Sequence, residues 1–198
     1  MDLEKTYYEK NLIINNREFR YKGIFKVDDL FRTLNRALDE KSYQKREKKT
    51  EELVTESGKR TYIELRPFKE KTNYVFLMIK IKILLDNVTE TQENKQTYSQ
   101  GNVALIFDSW VLTDYQHRWG LKPFVYFMKG VISKYFYKFP LEESFPNELV
   151  SDTNHIYQQI NSLFKSYRFQ EKKIAKEEDI LKIVEKEIGK SESQLNLF

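Results

Sequence analysis

The sequence predicts an α+β fold, with an antiparallel sheet packed against a long helix and additional helices toward the C-terminus. Three observations carry this. Val27, Leu30, Phe31, Leu34 and Leu38 recur at the three- and four-residue spacing of one helical face. Ile79, Ile81 and Ile83 alternate with Lys80 and Lys82, the two-residue period of a strand with one wet face. After Pro123 the apolar period returns to that of a helix.

In chain order, Phe19–Phe25 reads as a first strand with Gly23 near its end. The helix over 26–40 follows, with Asp28 and Asp29 in its first turn, where free amide groups favour negative charge. Residues 43–55 are charged and suit an exposed edge strand. Ser57-Gly58-Lys59 is a turn signal. Thr61, Ile63 and Leu65 alternate against Arg60, Tyr62, Glu64 and Arg66, a strand that Pro67 should end. A second turn at 71–73 leads into the Ile79–Ile83 strand. Residues 86–100 are polar and predict either a strand pair reaching beyond the core or a loop. The strand at 102–112 is apolar on both faces for much of its length, as expected where protein covers both sides or a cavity is lined.

Pro123 sits well in the first turn of a helix, where its missing donor costs little. Phe124, Phe127, Met128, Val131, Tyr135, Phe136 and Phe139 would form a wide apolar face, ended by Pro140. Lys129, Lys134 and Lys138 interrupt this pattern, which also suits a helix lying on a membrane surface. The core reading is preferred, with this helix covering the sheet. After a Pro-containing loop, a helix at 152–169 is expected through Ile156, Ile160, Leu163, Phe164 and Tyr167, then a charged helix at 176–188. The predicted organisation is an α+β body over 15–170 and a helical and flexible tail over 171–198.

Composition bounds the chemistry. The chain of 198 residues is 40% hydrophobic, with 14 Phe and 13 Tyr, enough for one real core. Net charge is only +4, a weak indication of a polyanion partner. The absence of cysteine excludes disulfides, thiol catalysis and thiolate metal sites. With no signal-peptide pattern and no apolar run near the length of a membrane span, a cytoplasmic location is expected.

The order strand, helix, antiparallel strands, long helix resembles the helix-grip (START/Bet v 1-like) superfamily. The resemblance rests on 107–139, where Gly120-Leu121-Lys122-Pro123-Phe124 leads from strand to helix. It implies a curved sheet gripping a helix around a cavity for an apolar ligand. The chain departs from that pattern in its helices beyond residue 150 and in having one first helix rather than a short pair. Trp110, Phe124, Phe127, Met128 and Val131 are the expected cavity lining.

The last five residues, Gln194-Leu195-Asn196-Leu197-Phe198, follow the polar Gly189-Lys190-Ser191-Glu192-Ser193. The pentamer resembles the bacterial sliding-clamp-binding peptide: glutamine, leucine, a small polar residue, leucine, phenylalanine. The resemblance implies that Gln194 occupies one subsite while Leu195, Leu197 and Phe198 enter a neighbouring apolar pocket. The competing reading folds these side chains back onto the body.

Other candidates are weaker. His117 and His155 lie far apart, without metal-ligand spacing. An Asp114–His117 pair suits a structural hydrogen bond better than a general base. No phosphate loop, dinucleotide fingerprint or zinc-protease motif occurs. Lys45, Arg46, Lys48, Lys49 and Arg60 form a basic group for a phosphate backbone, with Tyr43 and Tyr62 available for stacking, although Glu47, Glu51 and Glu52 dilute it. No catalytic residue, metal or cofactor is assigned, and an enzyme is not the expected class. The leading expectation is an adaptor or accessory protein docking through its C-terminal peptide on a protein partner, a sliding clamp being the candidate. The alternatives are a small apolar ligand carrier or cyclase-like enzyme, and a nucleic-acid-binding module.

Overall fold

The computed structural model describes residues 8–55, 58–93, 96–114, 124, 125, 127, 128, 131 and 144–169. Six strands, β1 Glu9–Phe25, β2 Glu47–Thr55, β3 Gly58–Leu65, β4 Phe68–Thr72, β5 Val75–Glu93 and β6 Gln96–Thr113, form one antiparallel sheet. Its order is β1-β6-β5-β3-β2, with β4 also paired to β5. Helix α1, Val27–Glu40, follows β1, and α2, residues 144–169, follows the sheet. The α+β class is therefore as expected.

The two-residue period sorts the sheet into two unlike faces. On the inner face, Leu77, Ile79, Ile81 and Ile83 of β5 and Leu105 and Phe107 of β6 are fully buried. They share one cluster with Leu30, Leu34 and Ala37 of α1 and with Leu149, Ile156, Ile160 and Phe164 of α2. The Phe164 ring lies 4.6 Å from Tyr21 and 5.2 Å from Phe19, centroid to centroid. Ser109 and Thr153 are fully buried polar members of this interface. Their hydroxyls meet at 3.0 Å, and Thr153 also donates to the Leu149 carbonyl, so neither is stranded.

Several elements differ from expectation for physical reasons. β1 begins at Glu9 rather than Phe19; a bulge at Asn16, with φ of 51°, breaks the alternation that would have marked its first half. β3 ends at Leu65, just before Pro67, as expected, but a further strand, β4, begins directly after it. β3 and β4 run in tandem along the same edge of β5, and the Pro67 carbonyl accepts from the Ile79 amide at 3.0 Å. The β4–β5 turn falls at Asn73–Tyr74. Residues 86–100 take the strand-pair alternative, with β5 and β6 paired as far as Glu93↔Gln96. A bulge between Asp86 and Thr89 is packed so closely against Gly58 and Gly101 that an added Cβ would lie 3.0–3.1 Å from its backbone. The Gly58 φ of +129° also disfavours any side chain.

The larger correction concerns which helix covers the sheet. It is α2, which is already helical at 144, before the expected start at 152, and includes Pro146. The helix expected from Pro123 was to do this. Its described residues are helical, but Phe124 and Phe127 are 72% and 67% exposed. No helix among the described residues is long and apolar enough to cross a membrane.

Candidate functional site

A dense polar group lies where β4 meets α2. Helix α1 ends in a Schellman turn: the Tyr43 amide donates to the Leu38 carbonyl and the Ser42 amide to that of Asp39, both at 2.9 Å, with Ser42 at φ 59°. This turn drives Tyr43 into the core beside the first turns of α2. There Lys69 Nζ donates to Glu148 Oε1 at 2.7 Å and Asp152 Oδ2 at 3.2 Å. Lys71 Nζ reaches Glu148 at 2.9 Å, and Lys41 Nζ lies 3.5 Å from Asp152.

The charge states of this group are fixed by its neighbours. Burial pushes the Lys69 ammonium toward neutrality, but Glu148 and Asp152 outweigh it and hold Lys69 charged above its ordinary value. Burial likewise raises the Glu148 carboxyl, and Lys69 and Lys71 more than reverse this. The Tyr43 phenol is pushed up by burial and then by Asp152 and Glu148. Lys69 therefore lacks the neutral amine a nucleophile needs, and Tyr43 stays protonated. The arrangement fastens α2 to the sheet. Farther along α2, Arg17 bonds Asn154 and stacks 4.1 Å over the Tyr157 ring. His155 Nε2 lies 2.8 Å from Glu40, and the Tyr167 hydroxyl donates to Asp29 at 2.6 Å.

The outer sheet face is charged through its middle. Asp108 accepts from the Asn16 amide at 2.8 Å and lies 3.8 Å from Lys82. Glu64 accepts from Arg66 at 2.7 Å and from the Tyr62 hydroxyl at 3.1 Å, with Lys80 at 3.8 Å. Beyond this band is an open depression of about 610 Å³, with Leu84, Ala104 and Ile106 as its apolar part and Glu18, Arg20, Lys22 and Asp86 among its charged residues. A second, more polar depression of about 550 Å³ lies over Gly23, Asn87 and Gly101. Among the described residues, no cluster of three potential metal ligands occurs.

The expected site residues are dispersed. Trp110 lies on the outer face, packed beside Tyr8, Phe76 and Leu112. Phe124, Phe127 and Met128 are exposed and Val131 half-buried, so this row does not wall an enclosed cavity. In the basic group, Lys45 pairs with Asp39 at 2.9 Å, Lys49 with Glu51 at 2.6 Å and Arg60 with Asp86 at 2.7 Å. Arg46 and Lys48 are engaged as well. Tyr43 is buried and presents no ring to a base, while Tyr62 is half-buried and bonded to Glu64. Asp114 is buried at the end of β6, its amide donating to the Tyr74 carbonyl at 2.7 Å. His117 and the docking residues Gln194, Leu195, Leu197 and Phe198 lie outside the described residues. The Lys69–Glu148–Asp152 group was missed because its members come from two segments far apart in the chain, β4 and α2. The one available signal was Asp152 opening an apolar helical period.

No family model, curated protein or solved structure matches this chain.

Proposed function

We propose that this protein is an adaptor or accessory protein whose α+β body carries the C-terminal Gln194-Leu195-Asn196-Leu197-Phe198 to a protein partner, a DNA sliding clamp being the preferred candidate. The observation that carries the reading is the pentamer itself, two leucines and a terminal phenylalanine behind a polar run. Support comes from the body, where residues 19–167 supply a core whose central side chains have no accessible surface. Each leucine or phenylalanine buried in a partner groove contributes about 1.5–3 kcal/mol before ordering costs. Micromolar affinity is the expectation, and a ring-shaped partner with several grooves would raise avidity.

The strand order supports a helix-grip-like arrangement, since the first strand pairs with the last and a long helix then crosses the sheet. The carrier or cyclase-like reading is less favoured. A side chain with zero accessible surface borders no water-sized void, and this holds for Ile79, Ile81, Ile83, Leu105, Phe107, Ile156 and Ile160. The nucleic-acid reading is weakened because the basic group is largely paired internally.

The test compares the intact chain with one ending at Ser193 for binding to a bacterial sliding clamp by calorimetry. Micromolar binding that truncation abolishes is expected. Equal affinities, or no binding by either, reject the proposal.

A further inference from the structure

The sheet order ends at β2, and among the described residues no strand pairs with its far side. Such an edge carries a row of backbone donors and acceptors that another strand can meet. Residues 47–54 are exposed on both faces of the strand, Leu53 by 57% and Val54 by 80%, so this end of the sheet projects into water. Charged side chains on an edge normally discourage pairing with another chain.

On β2 the order of the charges instead selects a partner. Lys48-Lys49-Thr50-Glu51-Glu52 reverses sign about its middle residue. Laid antiparallel against itself about Thr50, the strand sets Lys49 opposite Glu51 of the second copy and Lys48 opposite its Glu52. Two-fold symmetry then repeats both pairs. A slip by two residues, which keeps every side chain on its own face, sets Lys49 against Lys49 or Glu51 against Glu51. Parallel pairing in register sets every charge against itself. Like charges directly opposite are destabilising, so one orientation and one register stand out. The register shift between Glu47 and Lys49 falls outside the Lys49–Glu51 stretch, which therefore carries the match. Within one chain Lys49 lies 2.6 Å from Glu51 and Lys59 3.0 Å from Glu52, yet these side chains keep 44–58% of their surface exposed. A second copy would join two Lys49–Glu51 pairs into a square of alternating charge.

We propose that two copies of this chain join through β2 into a dimer with one continuous antiparallel sheet, centred on Thr50. Pairing also takes part of the Leu53 and Val54 surface out of water. A contact one strand wide is smaller than the standard interface of about 800 Å² per partner, so the dimer is weak and concentration-dependent. It does not require the C-terminal pentamer.

The experiment is sedimentation equilibrium of the full chain over a range of concentrations at low salt. Monomer–dimer exchange is expected, weakening as salt is raised. Lys49→Glu would bring two acidic groups together across the two-fold axis, and Glu51→Lys two basic ones. Each variant alone should dimerise about tenfold or more weakly than the parent. Mixed in equal amounts, the two variants should recover the parent's affinity. Opposite charges then meet again between chains, while the pair within each chain stays broken. Both positions are exposed, so the urea midpoint of each diluted variant should match the parent's. Three results would overturn the proposal. These are a parent that stays monomeric at about 100 μM, single variants that dimerise as the parent does, or a mixture that associates no better than either variant alone.

Discussion

Helix α2 and the helical residues at 124–131 carry the same kind of apolar pattern and meet opposite fates. Phe164 is 1% exposed, with Phe19, Tyr21 and Phe25 around it, whereas Phe127 is 67% exposed. Periodicity reports that a helix has an apolar side, but does not name the surface that covers it. The polar residues separate the two cases. On α2, Glu148, Asp152, Asn154, His155 and Tyr167 each meet a defined group on the sheet or on α1. Around 124–131 the sequence offers cations without neighbouring carboxylates. A helix whose polar positions match its own domain is anchored there.

The sharpest way to break this comparison is to truncate one phenylalanine from each region. Phe164→Ala should lower the unfolding free energy by about 3–5 kcal/mol, and Phe127→Ala should change it by less than about 0.5 kcal/mol. Urea unfolding of both variants measures this, and equal losses would erase the distinction.

Next in size is the ionic anchor. Lys69→Met strands Glu148 and Asp152 without their shared donor. Lys69 is 17% and Glu148 29% exposed, so solvent screens part of the loss, and about 1–3 kcal/mol is expected. Its pH signature has a definite sign. Because the folded Glu148 carboxyl lies below its ordinary 4.5, its contribution is complete above pH 4.5 and is lost as pH falls through the folded value. Lys69, raised above 10.5, contributes fully below that pH and ceases to as pH rises through its folded value. Thermal melts across the acid range should therefore slope less steeply in Lys69→Met than in the parent. Parallel slopes would remove the anchor role.

The smallest effect is expected at the other end of α2. Tyr167→Phe removes the hydrogen bond to Asp29 and should cost about 1 kcal/mol. An unchanged urea midpoint would mean that packing alone holds that turn.

Much of the sheet was legible because a strand with one wet face advertises its period. Ile79, Ile81 and Ile83 were recognisable, as was α1, while the charged stretch 43–55 gave little period and its edge strand occupies Glu47–Thr55. The start of β1 was hidden by the Asn16 bulge, and β4 by Pro67, which reads as a terminator although its carbonyl can still join the ladder. The exposure of Phe124 and Phe127 was not legible, because hydrophobic content does not encode which surface a helix meets. The polar group around Lys69 was illegible for a related reason. Lys41, Tyr43, Lys69, Glu148 and Asp152 converge only through the crossing of α1, β4 and α2, and no local spacing announces that crossing.

The pairing of β1 with β6 also bears on how the protein is made. β1 leaves the ribosome before its hydrogen-bonded neighbour, β6 at residues 96–113. Until those residues emerge, Phe19, Tyr21 and Phe25 lack the strand they will pair with, whereas the β5–β6 hairpin closes between sequence neighbours. Translation thus holds this apolar strand unpaired until β6 and then α2 emerge to cover it.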